Sequence, residues 1–187
     1  PDGPAETPDW TAVGEAASQA FGRGAPAGDV NGDGFADLLI GAPNYPGGKA
    51  YLWLGSATGP AEAPDWTKTG SGDDFFGASI GGVGDVNGDG YGDWMVGANG
   101  ANNYVGRVYL FLGAGDGLPA VPAATLDGES GVGYSAYAIG LYRAGDVNGD
   151  GFDDVVVGSP FDFFAGVMVG SADVYSGSDG SLLHAFH

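Results

Sequence analysis

The chain contains no cysteine. That excludes disulfides, thiol nucleophiles and cysteine-bound zinc. Basic residues are nearly as scarce: 5 Lys and Arg face 24 Asp and Glu, for a net charge of -19. Nucleic acids are held by clustered Lys and Arg, so they are excluded as partners, and anionic membrane surfaces are excluded on the same ground. Histidine is limited to His184 and His187 near one end. Ser181 lies close to them, but no acid completes a recognisable nucleophilic triad, so the reading is non-catalytic. No apolar run reaches the roughly 18 residues of a membrane-spanning helix, so membrane insertion is not expected, and no stretch reads as a signal peptide. The chain opens on Pro1, which predicts a processed product or a fragment. Sustained helical periodicity is also missing; only residues 11–20 suggest a short helical turn.

Glycine is abundant, with 39 residues beside 11 prolines. Without periodicity such a composition would point to disorder. Here the glycines recur in register with apolar runs, and so read as turns between short strands. Hydrophobic residues make up 43% and aromatics 12%, enough to bury a core. The sequence GDVNGDGFAD from Gly28 to Asp37 returns as GDVNGDGYGD from Gly84 and as GDVNGDGFDD from Gly145. Each copy alternates carboxylates and an amide around a glycine turn, the way a short loop wraps a hard divalent cation. Each is followed at once by an apolar run: Leu38-Leu39-Ile40, Trp94-Met95-Val96 and Val155-Val156-Val157. A period of roughly 50 to 60 residues indicates a repeat architecture such as a propeller. The loops absorb much of the negative charge; the remainder suits a soluble, self-repelling surface or a saline habitat.

The repeat extends beyond the loops. Pro8-Asp9-Trp10-Thr11 recurs as Pro64-Asp65-Trp66-Thr67 and, degraded, as Pro122-Ala123-Ala124-Thr125. Phe21-Gly22 recurs as Phe76-Gly77, with Val132-Gly133 as the third version. Gly41-Ala42-Pro43, Gly97-Ala98-Asn99 and Gly158-Ser159-Pro160 close the apolar runs, and alternating runs follow at residues 49–55, 107–113 and 172–177. Each unit therefore offers four short segments rich in aromatic and β-branched residues, bounded by Gly, Pro and Asp. Four antiparallel strands make one propeller blade. The fold class read from this is all-β: three four-stranded antiparallel blades. They form one array over residues 1–187, with approximate blades at 12–67, 68–125 and 126–187. Residues 1–11 are expected to be an extra edge strand from a preceding blade. Trp10, Trp53, Trp66 and Trp94 are expected to fill space between blades.

The combination of Phe-Gly, Asp-x-Asn-x-Asp-Gly-x-x-Asp and Gly-Ala-Pro resembles the FG-GAP repeat, which builds the β-propeller of integrin α subunits and of many bacterial extracellular proteins. The resemblance implies calcium loops between strands one and two, on one face of the propeller. The family usually closes seven blades and three are present here. This predicts a partial propeller, completed by a longer chain or by association of copies into a homo-oligomer.

The side-chain ligands assigned to about three calcium ions are Asp29, Asn31, Asp33 and Asp37, then Asp85, Asn87, Asp89 and Asp93, then Asp146, Asn148, Asp150 and Asp154. Phe35, Tyr91 and Phe152 are assigned as backbone carbonyl donors. Oxygen-only donors favour calcium over zinc or copper, and magnesium demands stricter geometry. Plain Asn-Gly and Asp-Gly hairpin turns without metal are the competing reading. A helix-loop-helix site or a dockerin module would place a bidentate Glu at the twelfth loop position, where this chain has Ile40, Val96 and Val157. Calcium lacks the acidity for hydrolytic work, so the ions are read as staples.

Loops between strands two and three should emerge on the opposite face. They carry Tyr45, then Asn102, Asn103 and Tyr104, then Phe161, Phe163 and Phe164. Aromatics beside Asn or Asp suit a carbohydrate or protein ligand; packing on a neighbouring blade is the plainer alternative. The function expected is a calcium-stabilised extracellular or cell-surface binding and adhesion module. The alternative is a structural repeat protein that assembles into a ring, surface layer or fibre.

Overall fold

The computed structural model describes residues 9–128, 137–164 and 167–186. It is all-β, built from three four-stranded antiparallel sheets in simple meander order. The first blade comprises β1 (Arg23–Gly28), β2 (Asp37–Ala42), β3 (Lys49–Trp53) and β4 (Trp66–Thr69). The second comprises β5 (Phe76–Gly84), β6 (Asp93–Ala98), β7 (Arg107–Phe111) and β8 (Ala124–Asp127), with a four-residue helical turn, α1 (Ala101–Tyr104), before β7. The third begins with β9 (Gly140–Gly145) and β10 (Asp154–Ser159), carries a small hairpin of β11 (Phe163–Phe164) and β12 (Val167–Met168), and ends with β13 (Ser171–Tyr175) and β14 (Leu182–Phe186). The first strands of successive blades lie against one another, β1 on β5 and β5 on β9.

Burial follows from this stacking. Strand two of each blade has neighbours on both faces, so it reads as a continuous apolar run rather than an alternating one. β6 is buried at every position. The seam between the first two blades packs Leu39, Leu52, Trp66, Trp94 and Phe111 with Phe76. The seam between the second and third packs Met95, Val108, Tyr137, Leu141, Val155 and Val157. Trp66 and Trp94 thus fill space between blades, whereas Trp10 and Trp53 lie on the leading face of the first blade, with Phe21 and Tyr51.

Register irregularities between Pro26 and Gly28, between Gly82 and Gly84, and beside Asp154 fall at the same place in each blade. Such bulges bend a strand out of its ladder. Here they turn strand one into the acidic loop, through glycines at φ +89, +84 and +75 (Gly28, Gly84 and Gly145).

Several expectations change on the structure. Residues 11–20 form no helix; the chain turns there with positive φ at Ser18 and Ala20. The edge strand expected over residues 1–11 lies outside the described residues as far as residue 8, and Asp9, Trp10 and Thr11 are in no strand. Val132-Gly133 lies outside the described residues too. The Phe-Gly position of the third blade is taken by Tyr137-Ala138. Gly41 approaches the Gly77 carbonyl, and Gly97 approaches the Ala138 carbonyl in the same way. Ala138 adopts φ +71 where Gly77 adopts +86. The substitutions of Tyr for Phe and Ala for Gly hid this position from pattern matching.

Candidate metal loops and the opposite face

The three acidic loops share one hydrogen-bond pattern. In the first, Gly32 N and Asp33 N donate to Asp29 Oδ1 at 2.7 and 3.0 Å, and Gly34 N donates to Asp29 Oδ2 at 2.8 Å. Asp33 N also donates to Asn31 Oδ1 at 3.1 Å, Phe35 N donates to Asp33 Oδ1 at 2.9 Å, and Asn31 Nδ2 donates to Asp33 Oδ2 at 2.9 Å. Asp85 receives the same bonds from Gly88, Asp89 and Gly90. Asp146 receives them from Gly149, Asp150 and Gly151. The loop is thus folded by its own Asx side chains.

The last aspartate of each loop has a separate task. Asp37, Asp93 and Asp154 open strand two and are buried. Asp37 Oδ2 accepts from Val30 N at 2.7 Å and Oδ1 from Gly55 N at 2.7 Å. Asp93 bridges Val86 N and Gly113 N, and Asp154 bridges Val147 N and Gly177 N. Each therefore ties its loop to the turn that follows strand three. Sequence reasoning assigned these residues as ligands and missed this structural role.

The charges are crowded. Burial raises the Asp37 carboxyl above its ordinary value, two backbone N–H donors oppose the shift, and Asp33 and Asp29 add to it. Burial pushes Asp93 up to about 6, with Asp89 and Asp85 contributing repulsion. The Phe152 N–H holds Asp150 below the usual carboxylate range.

The donors fit a hard cation in kind: all are oxygen, and although the first aspartate's Oδ1 accepts two backbone bonds in each loop, its Oδ2 accepts only one. A cation would also offset the repulsion felt by Asp37 and Asp93. Among the described residues, however, no three acidic or histidine side chains are gathered into a metal-holding cluster.

The aromatic residue at the seventh loop position links blades. A Cβ added at Gly32 would lie 2.7 Å from the Tyr91 ring, and one added at Gly88 would lie 2.7 Å from the Phe152 ring. Each ring therefore covers the glycine of the preceding loop. Phe35, which leads the series, is 41% exposed. Backbone bonds reinforce the chain of loops: Gly92 N donates to Asp29 O at 2.7 Å and Asp153 N donates to Asp85 O at 3.2 Å. Sequence reasoning assigned Phe35, Tyr91 and Phe152 only as carbonyl donors; the recurrence of a large ring at this position was the available signal.

On the opposite face, the structure brings part of the aromatic set together. Tyr45 and Phe75 line a cleft of 530 Å³ with Pro46 and Asp73. Tyr104 lies beside Phe75, with ring centroids 6.3 Å apart. Asn102, Asn103 and Tyr104 all have positive φ, from 55° to 66°, a strained run for residues with a β-carbon. Asn102 Nδ2 donates to Asp127. Phe161 is 43% exposed, and Phe163 pairs with Met168 and Phe164 with Val167 in the hairpin of the third blade. Phe75, absent from the sequence-based set, is the residue that joins Tyr45 to Tyr104.

Stacked four-stranded blades, each opened by the same acidic turn, define a β-propeller repeat protein. The chain belongs to the FG-GAP repeat family, whose model matches residues 21–53, 76–111 and 143–180. It is similar to integrin alpha-PS5 of Drosophila melanogaster, 36% identical over 157 residues, which is 79% of this chain and 16% of that protein. It is similar to integrin alpha-7 of Rattus norvegicus, 33% identical over 158 residues, 81% of this chain and 14% of the relative. It is similar to human integrin alpha-IIb, 37% identical over 160 residues, 78% of this chain and 15% of the relative. The chain thus spans about a sixth or less of the length of these relatives. Among the described residues no helix is long and apolar enough to cross a membrane.

Proposed function

We propose that the chain is a non-catalytic, calcium-stabilised binding and adhesion module that works at the cell surface or in the extracellular space. The observation that carries the reading is the threefold recurrence of one loop geometry, linked blade to blade through Tyr91 and Phe152. Calcium in the first loop would be held by the side chains of Asp29, Asn31, Asp33 and Asp37 and by the Phe35 carbonyl, with the equivalent residues serving loops two and three. When bound, the ion neutralises the crowded carboxylates and stiffens the rim. The chain's own residues do the rest: Asx turns shape the loop, and the buried aspartates anchor it to strand three. Thermal melting with calcium and with a chelator tests this. A fall of many degrees on chelation is expected, and an unchanged melt rejects the reading.

The cleft of Tyr45 and Phe75 beside Tyr104 supports a protein or carbohydrate ligand on the far face. Aromatic faces provide large contact area at low entropic cost. Replacing Tyr45 and Phe75 by alanine is expected to abolish retention on an immobilised ligand panel while leaving the calcium-dependent melt in place. A second reading, self-association, is favoured by the exposed Leu182 and Phe186 on β14, each about 55% exposed. Particle mass as a function of concentration distinguishes a monomer from a ring or filament.

A further inference from the structure

We infer that the seam between the second and third blades is a binding cavity for a small planar aromatic molecule of indole size. The cavity measures 320 Å³ and is walled by Met95, Leu110, Leu112, Leu126, Val155 and Tyr175.

Its origin lies in the repeat. In the first seam the equivalent space is filled by Trp66, which pairs in register with Leu52. Its ring lies edge-on to Trp94 at 5.6 Å and to Phe111 at 5.1 Å, and its Nε1 donates to the Pro119 carbonyl at 2.7 Å. One repeat earlier Trp10 does the same: its ring lies 5.5 Å from Trp53, and its Nε1 donates to the Ala61 carbonyl at 3.1 Å. One repeat later the residue that pairs with Leu110, as Trp66 pairs with Leu52, is Ala124. Val155, paired with Tyr175, stands where Trp94 pairs with Phe111. Two indoles are therefore missing from a seam whose strand framework is unchanged.

The chemistry of the walls selects the occupant. Lys68 donates across the first seam to the Ala120 carbonyl at 3.0 Å; its counterpart in register is Leu126, which makes the second seam apolar at that point. The space opens to solvent beside the exposed Ala124, and its lining is chiefly apolar, with Asn87 and residues 176–180 as the polar side. An apolar cavity of roughly 150 Å³ suffices to bind benzene, so this one accommodates a bicyclic ring. The indole N–H donors of Trp10 and Trp66 are met by the loop between strands three and four of the following blade. In the third blade that loop, residues 176–180, lines the cavity. That loop puts Ser176, Ser178 and Asp179 in the lining, the side from which an acceptor for a ligand N–H would come. The inference rests on packing alone and does not depend on calcium in the loops.

Calorimetric titration with indole itself tests it, using the native chain, Ala124→Trp and Leu126→Lys. Saturable binding of one indole per chain is expected for the native protein. Ala124→Trp should fill the space with the chain's own ring and weaken binding at least tenfold while raising the melting temperature. Leu126→Lys should place an ammonium at the wall and weaken binding several-fold. Absence of saturable binding to the native chain up to the solubility limit of indole overturns the inference. So does undiminished affinity in Ala124→Trp or, should that variant not fold, in Leu126→Lys.

Discussion

The two seams of this molecule share a framework and differ in filling. In both, a glycine late in strand two lets the next blade approach: Gly41 faces the Gly77 carbonyl, and a Cβ at Gly97 would lie 2.6 Å from the Ala138 carbonyl. The first seam is then filled by Trp66, Trp94 and Phe111 in mutual contact. The second has Ala124, Val155 and Tyr175 at those positions and gains polar links instead. Tyr137 Oη donates to Tyr175 Oη at 2.9 Å, and Arg143 pairs with Asp153, which also accepts from Asp85 N at 3.0 Å. Backbone approach sets the spacing of blades, whereas the side chains between them can change so long as that approach is kept. This is the freedom expected of a stacked repeat, whose stability is a sum of unit and nearest-neighbour terms.

The comparison breaks most visibly if the first seam is emptied. Trp66→Ala should cost about 3–5 kcal/mol, the usual range for deleting a buried Trp, and should create in the first seam the void that the second already has. Denaturant unfolding measures it, and a loss below about 1 kcal/mol would mean that the seams are not equivalent. Next comes the rim that joins the blades. Asp89→Asn in the second loop should cost about 1.4 kcal/mol when calcium stands tenfold above its dissociation constant and almost nothing in chelator. An equal loss in both conditions would assign Asp89 to the turn rather than to an ion. Filling the second seam is the converse of the first test: Ala124→Trp should stabilise by about 0.5–2 kcal/mol, read from the same unfolding curves.

The smallest effect lies at the outer edge of the second blade. There the Arg107 guanidinium donates to both Asp127 oxygens, at 2.5 and 2.9 Å. The first blade sets Lys49 opposite Thr69 at the same place. The hydrogen bond from Arg107 holds the Asp127 carboxyl below its ordinary value. A depressed folded value means that the pair's contribution is present above the unfolded value near 3.9 and is lost as pH falls through the folded one. Both side chains are partly exposed, so Asp127→Asn should cost only about 0.2–1 kcal/mol at neutral pH. The difference between variant and native stability should shrink in acid; a difference that stays constant to pH 2 would refute the assignment.

The strands of all three blades were legible because turn residues and apolar runs alternate in the sequence. The loops were legible because their letters repeat. All four tryptophans were expected between blades; Trp66 and Trp94 lie there, while Trp10 and Trp53 lie on the leading face of the first blade. Tyr137-Ala138 was not seen as the third Phe-Gly, since neither letter survives and only the contact with Gly97 reveals the equivalence. Phe75 was missed because its partners, Tyr45 and Tyr104, come from two other loops. The anchoring role of Asp37, Asp93 and Asp154 was missed because the turn glycines they bind, Gly55, Gly113 and Gly177, lie about twenty residues downstream.

The order of acidic turn, apolar strand and alternating strand is local chemistry, so the amino-acid sequence by itself determined the blades, their number and the loops that open them. Which faces meet, and whether a tryptophan or a void lies between them, depends on residues far apart in the chain. Only the tertiary structure decided that, because complementarity between two surfaces is a property of their distance and register and is written in neither surface alone.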